Sequence, residues 1–565
     1  MRYTFPMQKK CAVLFWLTSL LLGCAASPTL TYEEIVLRSS NEPPTNVGEI
    51  KRSFLSTSDL VERVEKITPL EEQVLAILED EPLKLGAIGT AILDQNYASL
   101  TGHMALAAFY DYLEEDSANF HSEWVENITK HISDSGDGSR RKPYPMVTAA
   151  EGRAYLLTTN QKAIGSIYQS NADDEFLLML AARPAHLSVS TENAPTDQRV
   201  KSVFFDLQTS YQVAKKRAES TSPSSQFKTS SLISSLAQID DSAAQAFIGT
   251  YLTTEGQFKQ AINWLSASTR NGNILGNLVL AKIWLSRAQR ASDKDKRSEA
   301  VSSAIENYQQ AIHLGSDEAM FLLGSFLLRN QLNSSSVEEG INLLTDSGQL
   351  GNTEALLYLA ELYLNGNQIK RNHDFAEKYF LQASELNDPY AKLGYARFLS
   401  SETVNKPFND KAYSWLMDLA AEDNPEAQII IGNLYATGLY VKKSYRRSVS
   451  WLKKAVRSAP EDPRIINEVA WSLAVSNEKK LRRPRYATKI MDTMMENNER
   501  ARESPAYLDT WAVAHAAIGN FEKAVEIQEE ALAKAISNNQ DAVIEILKDH
   551  LDAFRSGEVV IEELP

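Results

Sequence analysis

Apolar residues recur at helical spacing over most of this chain, and in its second half small residues recur at a longer fixed interval. Ala319, Ala355, Ala391 and Ala427 stand 36 apart, and Gly324, Ala360, Ala396 and Gly432 repeat that interval five residues on. A second register runs through Ala304, Gly340, Ala376, Ala412 and Ser448. Small residues admit close helix contact, so one small-residue register per helix at this period predicts a stacked array of helical hairpins. In helix A a small residue is followed by an apolar one four on, a small one next and a bulky one three further: Ala355, Leu359, Ala360 and Tyr363, then Ala427, Ile431, Gly432 and Tyr435. In helix B a small residue precedes adjacent bulky ones at +3 and +4 and a small one at +7: Ala376, Tyr379, Phe380 and Ala383, then Ser448, Trp451, Leu452 and Ala455. These offsets share one helical face. Trp264, Trp415 and Trp451 occupy one helix B register and are expected in the core. Between the helices, Gly366 and Gly438 are placed to take positive φ, and Ile369 and Val441 to plug the loops.

Upstream the pattern changes. Leu60, Val64, Ile67 and Leu70 predict a helix, and 85–93 with 100–113 predict a helical hairpin whose seam holds Tyr97, Leu100, Met104 and Phe109. After a polar loop at 133–145, a helix is expected over 151–158. Short β-rich apolar runs follow at 163–168, 176–182 and 202–207, predicting a small α+β element; the Leu and Ala of 176–182 leave a helix open there. Ser and Thr crowd 221–235, the best domain boundary, and helical patterning then continues to Arg555.

The hairpin pattern resembles the Sel-one-like repeat family, a relative of the tetratricopeptide repeats. The match is fullest from Glu426 to Val456, through Ala427, Ile431, Gly432, Tyr435, Gly438, Val441, Trp451, Lys454 and Ala455. The second loop glycine is replaced by Gln368 and Tyr440, and the loop aspartate by Asn372 and Ser444. Looser copies begin at Ala244, and Gly519, Phe521, Ala524, Ala531 and Leu532 with Trp511 resemble a tetratricopeptide hairpin. The resemblance implies a mainly α fold, a right-handed α-solenoid with the small α+β element in the N-terminal half. Its packing residues are Ala355, Ala360, Tyr363, Gly366, Ala376, Ala427, Gly432, Tyr435, Gly438, Trp451 and Ala455.

Arg2, Lys9 and Lys10 precede an apolar stretch of 12 residues, Cys11–Leu22, too short to span a bilayer as a mature helix. It ends in Leu21-Leu22-Gly23-Cys24, which resembles the bacterial lipoprotein lipobox. That implies cleavage before Cys24, acylation of Cys24 and, with Ala25 following, sorting to the outer membrane, facing the periplasm. Cleavage would take the net charge from −15 to −18 and leave one cysteine. The expected organisation is a signal peptide at 1–23, a tether at 24–58, a helical region with the α+β element at 59–218, a Ser/Thr-rich linker at 219–236, Sel-one-like repeats at 237–480 and tetratricopeptide-like hairpins at 481–555.

The acidic balance argues against nucleic acid. Eight scattered histidines show no metal-ligand spacing, and no nucleotide, zinc-protease or nucleophile-elbow motif appears. The Asp134–Ser139 loop fails as a calcium loop, with Ser139 at the position needing glycine and Pro145 at the one needing glutamate. Arg140-Arg141-Lys142 and Lys442, Lys443, Arg446 and Arg447 are basic spots on an acidic protein, each a solvated loop or a contact patch. Asp173-Asp174-Glu175 reads as a turn, and Arg183 and Asp206 as a structural pair. No catalytic residue, cofactor or metal is expected. Solenoids present extended binding surfaces, so the expected function is a non-enzymatic, membrane-anchored periplasmic scaffold binding envelope proteins; lipoproteins with such repeats act in exopolysaccharide export. The alternative is a ligand-binding or enzymatic α+β domain over 133–217, with the repeats as a docking module.

Overall fold

The computed structural model describes residues 30–39, 47–170, 175–186, 197–221, 228–330, 335–401, 403–404 and 406–563. Cys24 and the segment 1–23 lie outside them. The chain divides into two units, one of residues 1–161, 168–180 and 203–235, the other of 162–167, 181–202 and 236–565.

The first unit is mainly helical. Its expected hairpin forms from Pro82–Leu93 and Leu100–Tyr112, and glycines let the two approach. A Cβ at Gly86 would meet the Phe109 ring at 2.8 Å, and one at Gly102 would meet Leu93 at 2.6 Å. Four strands, β1 (Tyr144–Pro145), β2 (Gln161–Ser170), β3 (Phe176–Pro184) and β4 (Lys201–Asp206), form one sheet in the order β1-β4-β3-β2. The 176–182 run is therefore strand, its apolar residues buried on both faces. β1 pairs with β4 in parallel, Tyr144 opposite Phe205. Helix Ala149–Thr158 covers this edge, with the Tyr155 ring tilted against that of Tyr144, centroids 4.8 Å apart.

Two stretches depart from expectation. The described part of the 24–58 tether is folded into helices Tyr32–Ser39 and Val47–Leu55. Tyr32, Val47, Ile50 and Phe54 are buried, and the Tyr32 hydroxyl accepts the Tyr97 amide at 2.8 Å. Four apolar anchors spread among Ser, Thr and Pro give too sparse a pattern to signal helix. The 219–236 linker is helical at both ends, in Gln208–Thr221 and Thr229–Gln238. There Ile233 is buried within the serine-rich run.

Among the described residues the second unit holds eight helical hairpins and a closing helix, from Ser242–Thr254 to Asp541–Arg555. Each helix packs chiefly on its neighbours in the chain, as a stacked array requires. Both small-residue registers lie in the core, Ala304, Ala319, Ala355, Ala376, Ala391, Ala412 and Ala427 having no exposed surface. At the crossing where two glycines face each other, a Cβ at Gly324 would stand 2.9 Å from the Gly340 carbonyl, and one at Gly340 would stand 2.9 Å from the Gly324 carbonyl. The hairpin loops turn on Gly366 and Gly438, at φ 70° and 80°, while Ile369 and Val441 pack against the core.

Because Ala427 sits wholly within this core, Ala427→Trp must overpack it. A loss of about 1–3 kcal/mol is expected, read as a lowered melting temperature; an unchanged temperature would contradict the packing described.

Candidate binding surface

Four successive turns that join a helix B to the next helix A share one construction. At residues 315, 351, 387 and 423, again 36 apart, the backbone is left-handed, with φ of 95°, 98°, 64° and 61°. Glycine fills the first two positions and Asn387 and Asp423 the others, the non-glycine types that best tolerate this region. The next residue caps helix A. Ser316, Asn352, Asp388 and Asn424 accept the amides of Ala319, Ala355, Ala391 and Ala427 at 3.1, 3.0, 2.9 and 2.9 Å. Each cap satisfies an otherwise orphaned helical amide, so the alanine register is anchored three residues upstream by a polar one.

The first two of these turns carry a piece of the chain's own polypeptide. Residues 197–200, outside any regular element and leading into β4, run along them. The Gln198 amide donates to the Leu350 carbonyl and the Val200 amide to Asp317 Oδ1, both at 2.9 Å. Arg183 Nε donates to the Leu314 carbonyl at 3.1 Å. Asn352 Nδ2 donates to Asp317 Oδ2 at 3.0 Å and steadies that acceptor. Asp317 is buried, and burial raises its carboxyl pKa against the pull of these donors. Upstream, Ser166 and Asn273 exchange backbone–side-chain bonds at 3.2 and 2.7 Å. Ile164 and Ala181 join the core of the neighbouring hairpins.

The opposite loops, from helix A to helix B, have another character. Residues 437–447 hold Lys442, Lys443, Arg446 and Arg447 with no acid, and 475–485 hold Lys479, Lys480, Arg482, Arg483 and Arg485 against Glu478. The turn segments 385–391 and 421–427 hold only acids, Glu385, Asp388, Glu422, Asp423 and Glu426. These two pairs of loops thus differ in the charge of their own residues, and Lys411, Lys454 and Arg397 of neighbouring helices partly neutralise the acidic pair. On the basic edge Arg447 lies over the Tyr435 ring at 5.4 Å and Lys443 over Tyr445 at 5.1 Å. Aromatic faces favour such cations. Tyr440 donates to Asp410, and Leu439 is half exposed.

The sequence-predicted residues distribute accordingly. Ala355, Ala360, Ala376, Ala427, Gly432 and Ala455 are buried at helix crossings, with Tyr435 beside them. Tyr363 is half-buried, its ring 5.9 Å from that of Tyr379. Trp264, Trp415 and Trp451, expected inside, are half-buried, and Lys411 lies over Trp415 at 5.2 Å and Lys454 over Trp451 at 5.5 Å. Their register falls at the rim of the packing face, where a lysine stem and head can cover an indole. Arg183 and Asp206 have separate partners, the Leu314 carbonyl and the Gln208 amide. Residues 173–174 of the acidic turn lie outside the described set. The docked 197–200 segment and the charge difference between the loops were not anticipated; the latter was visible in the loop sequences once the helices were placed.

The first unit contains buried titratable groups. Glu71 accepts hydroxyls from the two helix caps Ser99 and Thr148 and from Thr101. Burial, with the neighbouring Glu151 charge, pushes its carboxyl up to about 7. Glu151 is bound by Lys51 at 2.7 Å and by the Val147 amide at 2.8 Å. His103 and His121 meet Nδ1 to Nδ1 at 3.0 Å, and His103 Nε2 reaches the Tyr97 carbonyl at 2.8 Å. That carbonyl can only accept, so His103 carries its proton on Nε2 and His121 donates from Nδ1. Burial lowers the pair to about 3 and about 4. These groups are enclosed and mutually satisfied, a fold-holding network. Among the described residues no three His, Cys, Asp or Glu side chains could share a metal ion, and no helix is long and apolar enough to cross a membrane.

Residues 353–388 and 425–459 match the Sel1 repeat family. Solved structures similar to this chain include a Sel1 repeat protein from Oxalobacter formigenes (16% identity over 55% of this chain and 87% of that one, TM-score 0.39). Another is c5321, a protective antigen of uropathogenic Escherichia coli with the same kind of repeat fold (13% identity, 95% and 99% covered, TM-score 0.32). A third is a tetratricopeptide repeat protein from Thermus thermophilus (16% identity, 36% and 98% covered, TM-score 0.26). No curated protein matches. The chain carries Sel1 repeats within an array of the kind that serves as a protein-interaction scaffold.

Proposed function

We propose that this chain is a periplasmic scaffold lipoprotein, held to the outer membrane by lipid on Cys24, whose repeat array binds protein partners during assembly of an envelope or exopolysaccharide-export complex. The observation that carries the binding role is the docked 197–200 segment: successive repeat turns already hold a stretch of polypeptide outside regular secondary structure through its backbone amides. The 133–217 alternative is less supported. The first-unit part of that region is filled by rings, Tyr168 on Phe176 at 4.9 Å and Phe176 on Tyr211 at 5.8 Å, rather than opening to converging polar groups. Several acyl chains on one cysteine anchor stably where one would be marginal. Cys24→Ala is expected to move the protein from the membrane to the soluble fraction; a variant that still sediments with membranes would refute the anchor. Cross-linking in cells, with identification of what is captured, tests the scaffold role.

A further inference from the structure

The turns that hold the chain's own segment have two successors in register. Helix B ends in a carbonyl at Leu314, Leu350, Leu386 and Glu422, each 36 after the last. The first accepts Arg183 and the second the Gln198 amide. Among the described residues the carbonyls of Leu386 and Glu422 accept nothing. Burial follows the same division. Gly315 to Asp317 and Gly348 to Gly351 are buried beneath their occupants, whereas Glu385, Asn387, Tyr390, Glu422 and Asp423 are exposed. Tyr390, directly after the cap and proline, shows 75% of its surface, a free aromatic platform at the third turn.

Direction and charge indicate what fits. Going backwards from Val200 to Gln198, the docked segment advances from the first turn to the second, the direction in which the open turns lie. Arg199 pairs with Asp197 at 3.0 Å, and the weaker fields of Asp317 and of Asp388 at the third turn also reach it. The open turns contain acids and no lysine or arginine of their own. Lys411 pairs with Glu385, Lys454 with Asp423 and Arg397 with Glu426 from neighbouring helices, whereas among the described residues no ion pair reaches Asp388.

We propose that the Leu386–Tyr390 and Glu422–Asn424 turns are two further stations of one docking line, and that they take an extended, basic segment of a partner polypeptide. Backbone amides of the segment donate to the Leu386 and Glu422 carbonyls, alternate side chains face the turns, and a lysine or arginine meets Asp388. This rests on the scaffold reading and names the partner's chemistry.

The test uses the full chain in detergent and a fluorescent peptide of two tandem copies of the sequence 197–202, long enough to engage both stations at once. Saturable binding is expected, weakened at least tenfold by Asp388→Lys, weakened by Tyr390→Ala, and lost when the peptide's glutamine and valine amides are N-methylated or its arginines and lysines become glutamate. The control Lys479→Glu, on the basic edge, leaves it unchanged. Circular dichroism confirms that each variant is folded. No saturable binding, or equal binding of the N-methylated peptide, overturns the docking line. Self-association of the chain that Asp388→Lys abolishes, without peptide binding, would assign these turns to a second copy and also overturn it. A partner cross-linked in cells alongside a negative peptide result would leave the scaffold role standing and remove only this surface.

Discussion

Gly340→Leu is expected to cost the repeat unit about 3 kcal/mol, the upper end of what overpacking exacts. The first added carbon already stands 2.9 Å from the Gly324 carbonyl and 2.9 Å from Leu328 Cγ. The first of these is backbone within a helix and cannot rotate away, so Asp317–Asn330 and Ser336–Gln349 must move apart. Leu344 and Leu328, both fully buried there, would lose contact. Urea unfolding of the full chain measures the loss. Ala421→Leu, on an exposed helix end, should stay within about 0.5 kcal/mol. Equal midpoints for the two variants would show that the glycines do not set the helix spacing.

The second large effect concerns Glu71. Its carboxyl rises from 4.5 to about 7 on folding, so between these values the folded state holds a proton that the unfolded chain has released. Stability from this group is complete below pH 4.5 and is lost as pH climbs through 7, by roughly 3 kcal/mol in all. The histidine pair acts oppositely. Lowered from 6.5 to about 3 and about 4, the rings remain neutral in the fold while the unfolded chain takes up protons, so stability falls as pH drops below 6.5. Glu71→Gln removes the first dependence and leaves the second. Thermal melts from pH 4.5 to 8 should show the variant gaining on the natural chain as pH rises; parallel curves would mean that Glu71 is ionised in the fold throughout.

The legible parts of the molecule share a physical cause. A strand such as 202–207 announces itself through its own residues, and a repeat through recurrence, since the same packing constraint is imposed again every hairpin. Helices Tyr32–Ser39 and Val47–Leu55 escaped because they are held by distant partners: the Tyr32 hydroxyl by Tyr97 and Lys51 by Glu151. Glu71 was invisible as a site for the same reason. Its three hydroxyl donors come from sequence separations of 28, 30 and 77 residues, and nothing local marks a glutamate that will be buried. The docking turns were half legible. Their cap residues stand in plain register, but that Leu350 receives another segment while Leu386 does not depends on where residues 197–200 come to lie.

The β1–β4 pairing also sets an order of events in time. Helical hairpins close over short stretches of chain, and such local contacts form fast. Tyr144 and Pro145 must wait for Phe205 and Asp206, and bringing them together closes a long loop before any contact rewards it. During synthesis the preceding helices have their own sequence complete well before their sheet edge exists. The slow steps of folding are therefore expected where distant segments meet, at this parallel pair and, over still longer separations, where Val200 meets Asp317 and Gln198 meets Leu350, while the hairpins themselves close locally.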